Sequence, residues 1–144
     1  MNVSGERIYA YNFPRSSSMD ALQHNPVEAS APATLTKAVV RAAGFLSLSQ
    51  AALADVLGIS PATASRLVGG SYALQPARRR EWEFALLFVR MFRSLQAIVG
   101  NDHDAQTWLK NENLALGARP LELIRSAEGL VRVLHYLDAS RARL

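Results

Sequence analysis

The 144-residue chain is 49% apolar and 19% charged, enough to bury a core and unlike a disordered polyelectrolyte. It has no cysteine, which excludes disulfide staples, thiolate zinc sites and thiol nucleophiles. The net charge of +4 is uneven: residues 35–94 carry eight cations against three anions, residues 95–144 carry six of each, and residues 1–34 sum to −1, so a polyanion would dock on the middle third.

Residues 1–33 read as an N-terminal tail, partly disordered, with Ser16–Ser18, Pro14, Pro26 and Pro32 and no sustained periodicity. Ile8, Tyr9, Tyr11 and Phe13 form an aromatic cluster within it, with no basic start and apolar run to mark a signal peptide. From Thr34 onward the pattern is helical, and nothing reads as a strand. A first helix is predicted over Thr36–Phe45, then two short ones over Ser49–Leu57 and Pro61–Val68. A long helix over Pro76–Val99 has apolar positions Trp82, Ala85, Leu86, Val89, Phe92, Leu95, Ile98 and Val99 at steps of three and four, and its Trp82–Val99 part is the first choice for a dimer seam. Its most apolar part, Phe84–Val99, is interrupted by Arg90, Arg93 and Gln96, too short and too charged to span a bilayer, so a cytoplasmic protein is expected. Asp102 or Asp104 is placed to cap the next helix, with Trp108 and Leu109. Pro120 opens a helix over Leu121–Ala127 that Gly129 breaks, and Leu130–Leu137 forms the last.

The stretch Leu48–Leu67 has the spacing that two short crossing helices need. Ser49 is an N-cap, and Leu48 can staple onto Leu53. Ala54 is small where the second helix approaches, and Gly58 supplies a left-handed residue after Leu57. Ser60 caps the second helix with Pro61 in its first turn, and Ile59, Ala64 and Leu67 face inward. Ala62, Thr63, Ser65 and Arg66 are left outward, the side-chain types that read a major groove. This is a helix-turn-helix, expected to bind double-stranded DNA. Gln50 and Ser60 at the helix starts, and Arg78 and Arg79 of the run Arg78–Arg80, are candidates for phosphate contact.

No enzyme constellation stands up. His24, His103 and His135 lie in separate segments, Asp102–Asp104 reads as a helix start rather than a metal site, and Gly69-Gly70 is a turn, so neither metal nor cofactor is expected.

The C-terminal third carries a narrower pattern: Trp108-Leu109, Asn113–Leu121 (with Leu116-Gly117 and Pro120-Leu121), Leu123–Gly129, Val133 and Leu137. It resembles the toxin-binding domain of the Xre/MbcA/ParS antitoxin family, and with the Xre-like helix-turn-helix ahead of it the resemblance covers residues 34–144. Where many relatives have Gly-Gly this chain has Gly117-Ala118, and a proline common before the Asn is absent. The implied architecture is all-α: an Xre-like helix-turn-helix bundle over residues 34–90, followed by a small helical toxin-binding domain over 91–144. The resemblance implies a type II antitoxin that directly neutralises a RES-domain, NAD⁺-consuming toxin by covering its active-site cleft, while the complex represses its operon. The chain itself is then no enzyme. A homodimer on an inverted-repeat operator is expected, because one such motif covers little DNA. With no further domain expected beyond Leu144, the candidate toxin contacts are Asp138, Ser140, Arg141, Arg143 and Leu144. The alternative is a stand-alone repressor whose C-terminal helices dimerise or sense a small molecule.

Overall fold

The computed structural model describes residues 26–144, with side chains from residue 31 onward. The aromatic cluster at Ile8–Phe13 and most of the expected tail lie outside the described residues. Seven helices are described: α1 (Pro26–Phe45), α2 (Gln50–Leu57), α3 (Pro61–Gly69), α4 (Arg79–Val99), α5 (Asp102–Lys110), α6 (Pro120–Leu123) and α7 (Ala127–Arg141). Among the described residues the architecture is all-α, and its only pairing of β type is an isolated bridge between Asn113 and Ala118.

The first helix begins ten residues before the Thr36 start expected from sequence, and it contains Pro32. Proline in a helix interior forfeits one N–H bond and crowds the preceding turn, which is why the sequence argued against helix there. Ala29, Ala31 and Ala33 around it favour helix most strongly of all residue types.

Pro32–Leu144 forms one compact unit. A single apolar core joins Leu35, Val39 and Leu46 of α1 to Leu53 and Leu57 of α2, Phe88 and Leu95 of α4, and Leu130, Leu134 and Leu137 of α7. The central element is α4, which packs most extensively on α7 and also on α2 and α5. The 90/91 boundary expected between domains therefore falls inside a continuous helix that both halves share. Within the apolar stripe of α4, Ala85, Val89, Phe92 and Leu95 are buried, Trp82, Ile98 and Val99 are half-buried, and Leu86 is exposed. Much of the stripe expected as a dimer seam therefore packs inside the unit.

Three further boundaries differ from expectation for local reasons. Pro76 and Ala77 form a turn, and α4 starts at Arg79. Asn101, not Asp102 or Asp104, caps α5: its side-chain oxygen accepts the Asp104 N–H at 2.8 Å. Gly129 is no breaker but lies in the first turn of α7, which Ser126 caps. A Cβ on Gly129 would fall on the Leu123 carbonyl, closer than any non-bonded contact allows. Glycine is needed there so that α6 and α7 can touch.

Candidate functional site

The helix-turn-helix assembles from local bonds. Ser49 accepts the Ala52 N–H at 3.0 Å, and Ser60 accepts the Thr63 N–H at 3.0 Å. Gly58 takes φ +71° and directs two backbone bonds into the end of α2. Ala54, Ala64 and Leu67 are buried where α2 and α3 meet, with Ile59 half-buried beside them.

On the outer surface of α3, Ala62, Ser65 and Arg66 are exposed, and Thr63 is half-buried. The Ser60 hydroxyl donates to Thr63 Oγ1 at 2.9 Å, and Arg66 Nη2 donates to the same oxygen at 3.1 Å. Residues three apart lie on one face of a helix, so this chain lays the Arg66 guanidinium along α3. Gln50 is exposed at the start of α2.

Arg78, Arg79 and Arg80 line, with Ser60, Thr63, Tyr72 and Glu81, an open concavity of about 480 Å³ beside the N-terminus of α3. The Arg run and the predicted recognition helix thus share one surface. Arg78 lies over the Tyr72 ring at 5.1 Å and has its Nε 3.9 Å from Glu81. Arg79 is exposed and 3.4 Å from Glu83, and Arg80 lies over the Phe84 ring at 5.8 Å.

Sequence reasoning missed Tyr72 and Glu81. Glu81 is 8% exposed, and the Tyr72 hydroxyl donates to both its carboxylate oxygens, at 3.0 Å to Oε2. A buried carboxylate without such partners would cost several kcal/mol, on the order of a full desolvation penalty. Burial and the bonded, negative Glu81 raise the Tyr72 pKa, and nearby Arg78 and Arg66 oppose the shift only in part. The Arg78–Glu81 spacing was a readable signal; the Tyr72 pairing joins residues nine positions apart across the loop before α4 and was not.

The expected toxin-contact residues cluster at the end of α7, but not equivalently. The Asp138 carboxylate is already bonded within the unit: Arg90 Nη2 donates at 2.6 Å and the buried Ser94 hydroxyl at 2.8 Å, both from α4. Partial burial pushes its pKa up, but the Ser94 hydroxyl and the Arg90 and Arg141 guanidinium groups outweigh this and hold it below the ordinary carboxylate value. Arg141 reaches back to Ser94 at 3.4 Å. Ser140 is half-buried, whereas Arg143 and Leu144 are exposed, Leu144 at 80%.

Long-range bonds tie the two halves of the unit. Arg125 Nε and Nη2 lie 2.9 and 2.8 Å from Asp55 of α2, and Gln106 Nε2 donates to the Phe45 carbonyl at 2.8 Å. Among the described residues no His, Asp and Glu group could hold a metal ion, and no helix is long and apolar enough to cross a membrane.

Two family models match the chain. One describes the antitoxin Xre-like helix-turn-helix domain and matches residues 23–90; the other describes the antitoxin Xre/MbcA/ParS C-terminal toxin-binding domain and matches residues 94–143. The short interval between them lies within α4. No curated protein matches the chain.

Proposed function

Since the chain belongs to the Xre/MbcA/ParS-type antitoxins, with an Xre-like helix-turn-helix joined to a toxin-binding domain, we propose that it silences a RES-type, NAD⁺-consuming toxin and represses its own operon. These are binding tasks, and the chain is not an enzyme. The observation that carries the reading is the joining of the two matched domains through one shared helix, α4, in a single unit. Repression is supported by the exposed Arg66, Ser65 and Ala62 beside the Arg78–Arg80 surface. Arg66, and the Gln50, Ser60 and Thr63 region, face the major groove and its flanking phosphates, while Arg78 and Arg79 contact the phosphate backbone. Two copies bind an inverted repeat, as the small footprint of one motif requires.

Neutralisation works by occlusion. The turn at Arg141–Leu144 enters the toxin cleft, with Arg141 and Arg143 pairing to acidic groups there. Asp138 and Ser94 hold the end of α7 on α4 and so aim this turn.

The experiment is co-expression with the RES-type reading frame expected beside the gene, followed by purification and an NAD⁺-consumption assay. The reading predicts a stable complex with no NAD⁺ consumption, and recovered toxin activity when residues 141–144 are deleted. A truncated chain that still silences the toxin fully would refute occlusion by the terminus. A full chain that binds its operator but leaves the toxin active would favour the stand-alone repressor.

A further inference from the structure

The loop between α5 and α6 holds a leucine, Leu114, with 97% of its surface exposed. The other exposed large apolar residues among those described are Leu144 at 80%, on the turn after α7, and the more covered Leu86 at 48%, Val68 at 42% and Phe45 at 38%. A single surface leucine is ordinarily unremarkable. This one sits on a loop that is tied down from several sides.

Asn113 N–H donates to the Ala118 carbonyl at 3.1 Å, and Gly117 N–H donates to the Asn113 carbonyl at 2.8 Å. The Asn113 side chain accepts the Leu116 N–H at 3.0 Å, and Arg132 from α7 donates to the Leu116 carbonyl at 2.6 Å. Gly117 takes the one left-handed conformation in the loop, φ +76°, and Ala118 does not share it, so an alanine is unstrained there. Leu116 is turned into the core, while Leu114 is held outward. Beside the loop lies an open groove of about 410 Å³ lined by Val99, Trp108, Asn111 and Asn113, with acidic Asp104 and Glu112. Knob and groove share Asn113.

We propose that Leu114 is a second toxin anchor, separate from the C-terminal turn, inserting into an apolar pocket of the toxin while an apolar and basic toxin segment lies in the groove. The inference rests on the toxin reading above and names the surface it uses. Two observations select this occupant. The loop and groove both fall within residues 94–143, the match to a toxin-binding domain. Asp104 and Glu112 also repel the phosphate backbone of DNA, so the operator does not fit this face. A preformed loop forfeits little entropy on binding, which is what a hot-spot side chain requires.

The test uses the full chain, the RES toxin co-purified with it, and the variants Leu114→Ala and Leu114→Glu. With almost no intramolecular contact to lose, both keep the wild-type melting temperature and operator affinity. Toxin affinity falls roughly tenfold or more in Leu114→Ala, by the burial of one leucine side chain, and further in Leu114→Glu. Undiminished toxin binding by Leu114→Glu, beside a wild type that binds, overturns this inference alone. Loss of self-association with toxin affinity unchanged also overturns it, by assigning the face to a second copy. A wild-type chain that binds no RES toxin overturns the functional reading, and this one with it.

Discussion

The two halves of this molecule are held together in different ways. In α2 and α3 the caps and the turn are set within a few residues: Ser49 to Ala52, Ser60 to Thr63, Gly58 back to Ala54. In the C-terminal half the decisive contacts are distant in sequence: Arg90 to Asp138, Arg125 to Asp55, Gln106 to Phe45, Arg132 to Leu116. A local design can be carried into many proteins unchanged. A long-range one ties the toxin-binding half to this particular helix-turn-helix, so that disturbing α7 is felt through α4.

The largest effect that sharpens the contrast comes from Gly129→Val. The added side chain cannot enter against the Leu123 backbone without parting α6 from α7, and it costs about 3 kcal/mol of stability in urea unfolding. If the halves are one unit, the helix-turn-helix unfolds in the same transition; two separate transitions would break the comparison.

Arg66→Ala probes the other half and leaves the fold alone. Operator affinity falls by roughly 1–3 kcal/mol if the guanidinium pairs with a base, with toxin binding untouched. An unchanged affinity in a titration on operator DNA would misplace the recognition helix.

Tyr72→Phe keeps the ring under Arg78 but removes the hydroxyl that donates to the buried Glu81, costing about 1–2 kcal/mol. The raised pKa of Tyr72 gives a sign: its contribution is present below pH ~10 and is lost as the pH rises through the folded-state value. The phenylalanine variant therefore lacks part of the wild-type alkaline loss in a pH series of melts.

The smallest effect is at the seam itself. Asp138→Asn costs no more than about 1 kcal/mol at neutral pH, since its arginine partner is largely exposed. The lowered pKa means this contribution is present above the ordinary carboxylate value and disappears as the pH falls through the folded-state value. Wild type and variant should converge in stability toward acid, and a gap that persists there would assign the effect to something other than charge.

The same division explains what the sequence revealed. The caps, the glycine and the buried positions of α2 and α3 were legible because their partners are three or four residues away, within the reach of pattern. Gly129 was misread because a glycine early in a helix looks like a breaker unless the neighbour that excludes a Cβ is known. Leu86 was assigned to the core by its spacing, but the face that α7 and α2 cover is rotated away from it. Asp138 was legible as a polar residue near the terminus, whereas its pairing with Arg90, across 48 residues, was not. The C-terminal pattern pointed to a family without saying why each residue stands where it does. Asn113, Gly117 and Gly129 now have reasons: a braced loop, a left-handed turn and a close helix contact.

The role proposed for this chain is to hold a toxin silent. Its most direct test is the rate of NAD⁺ consumption by the purified RES toxin as the chain is titrated in. Activity should fall to background at a fixed stoichiometry, and Arg66→Ala should inhibit as well as wild type. Undiminished NAD⁺ consumption in the presence of excess folded chain would contradict it.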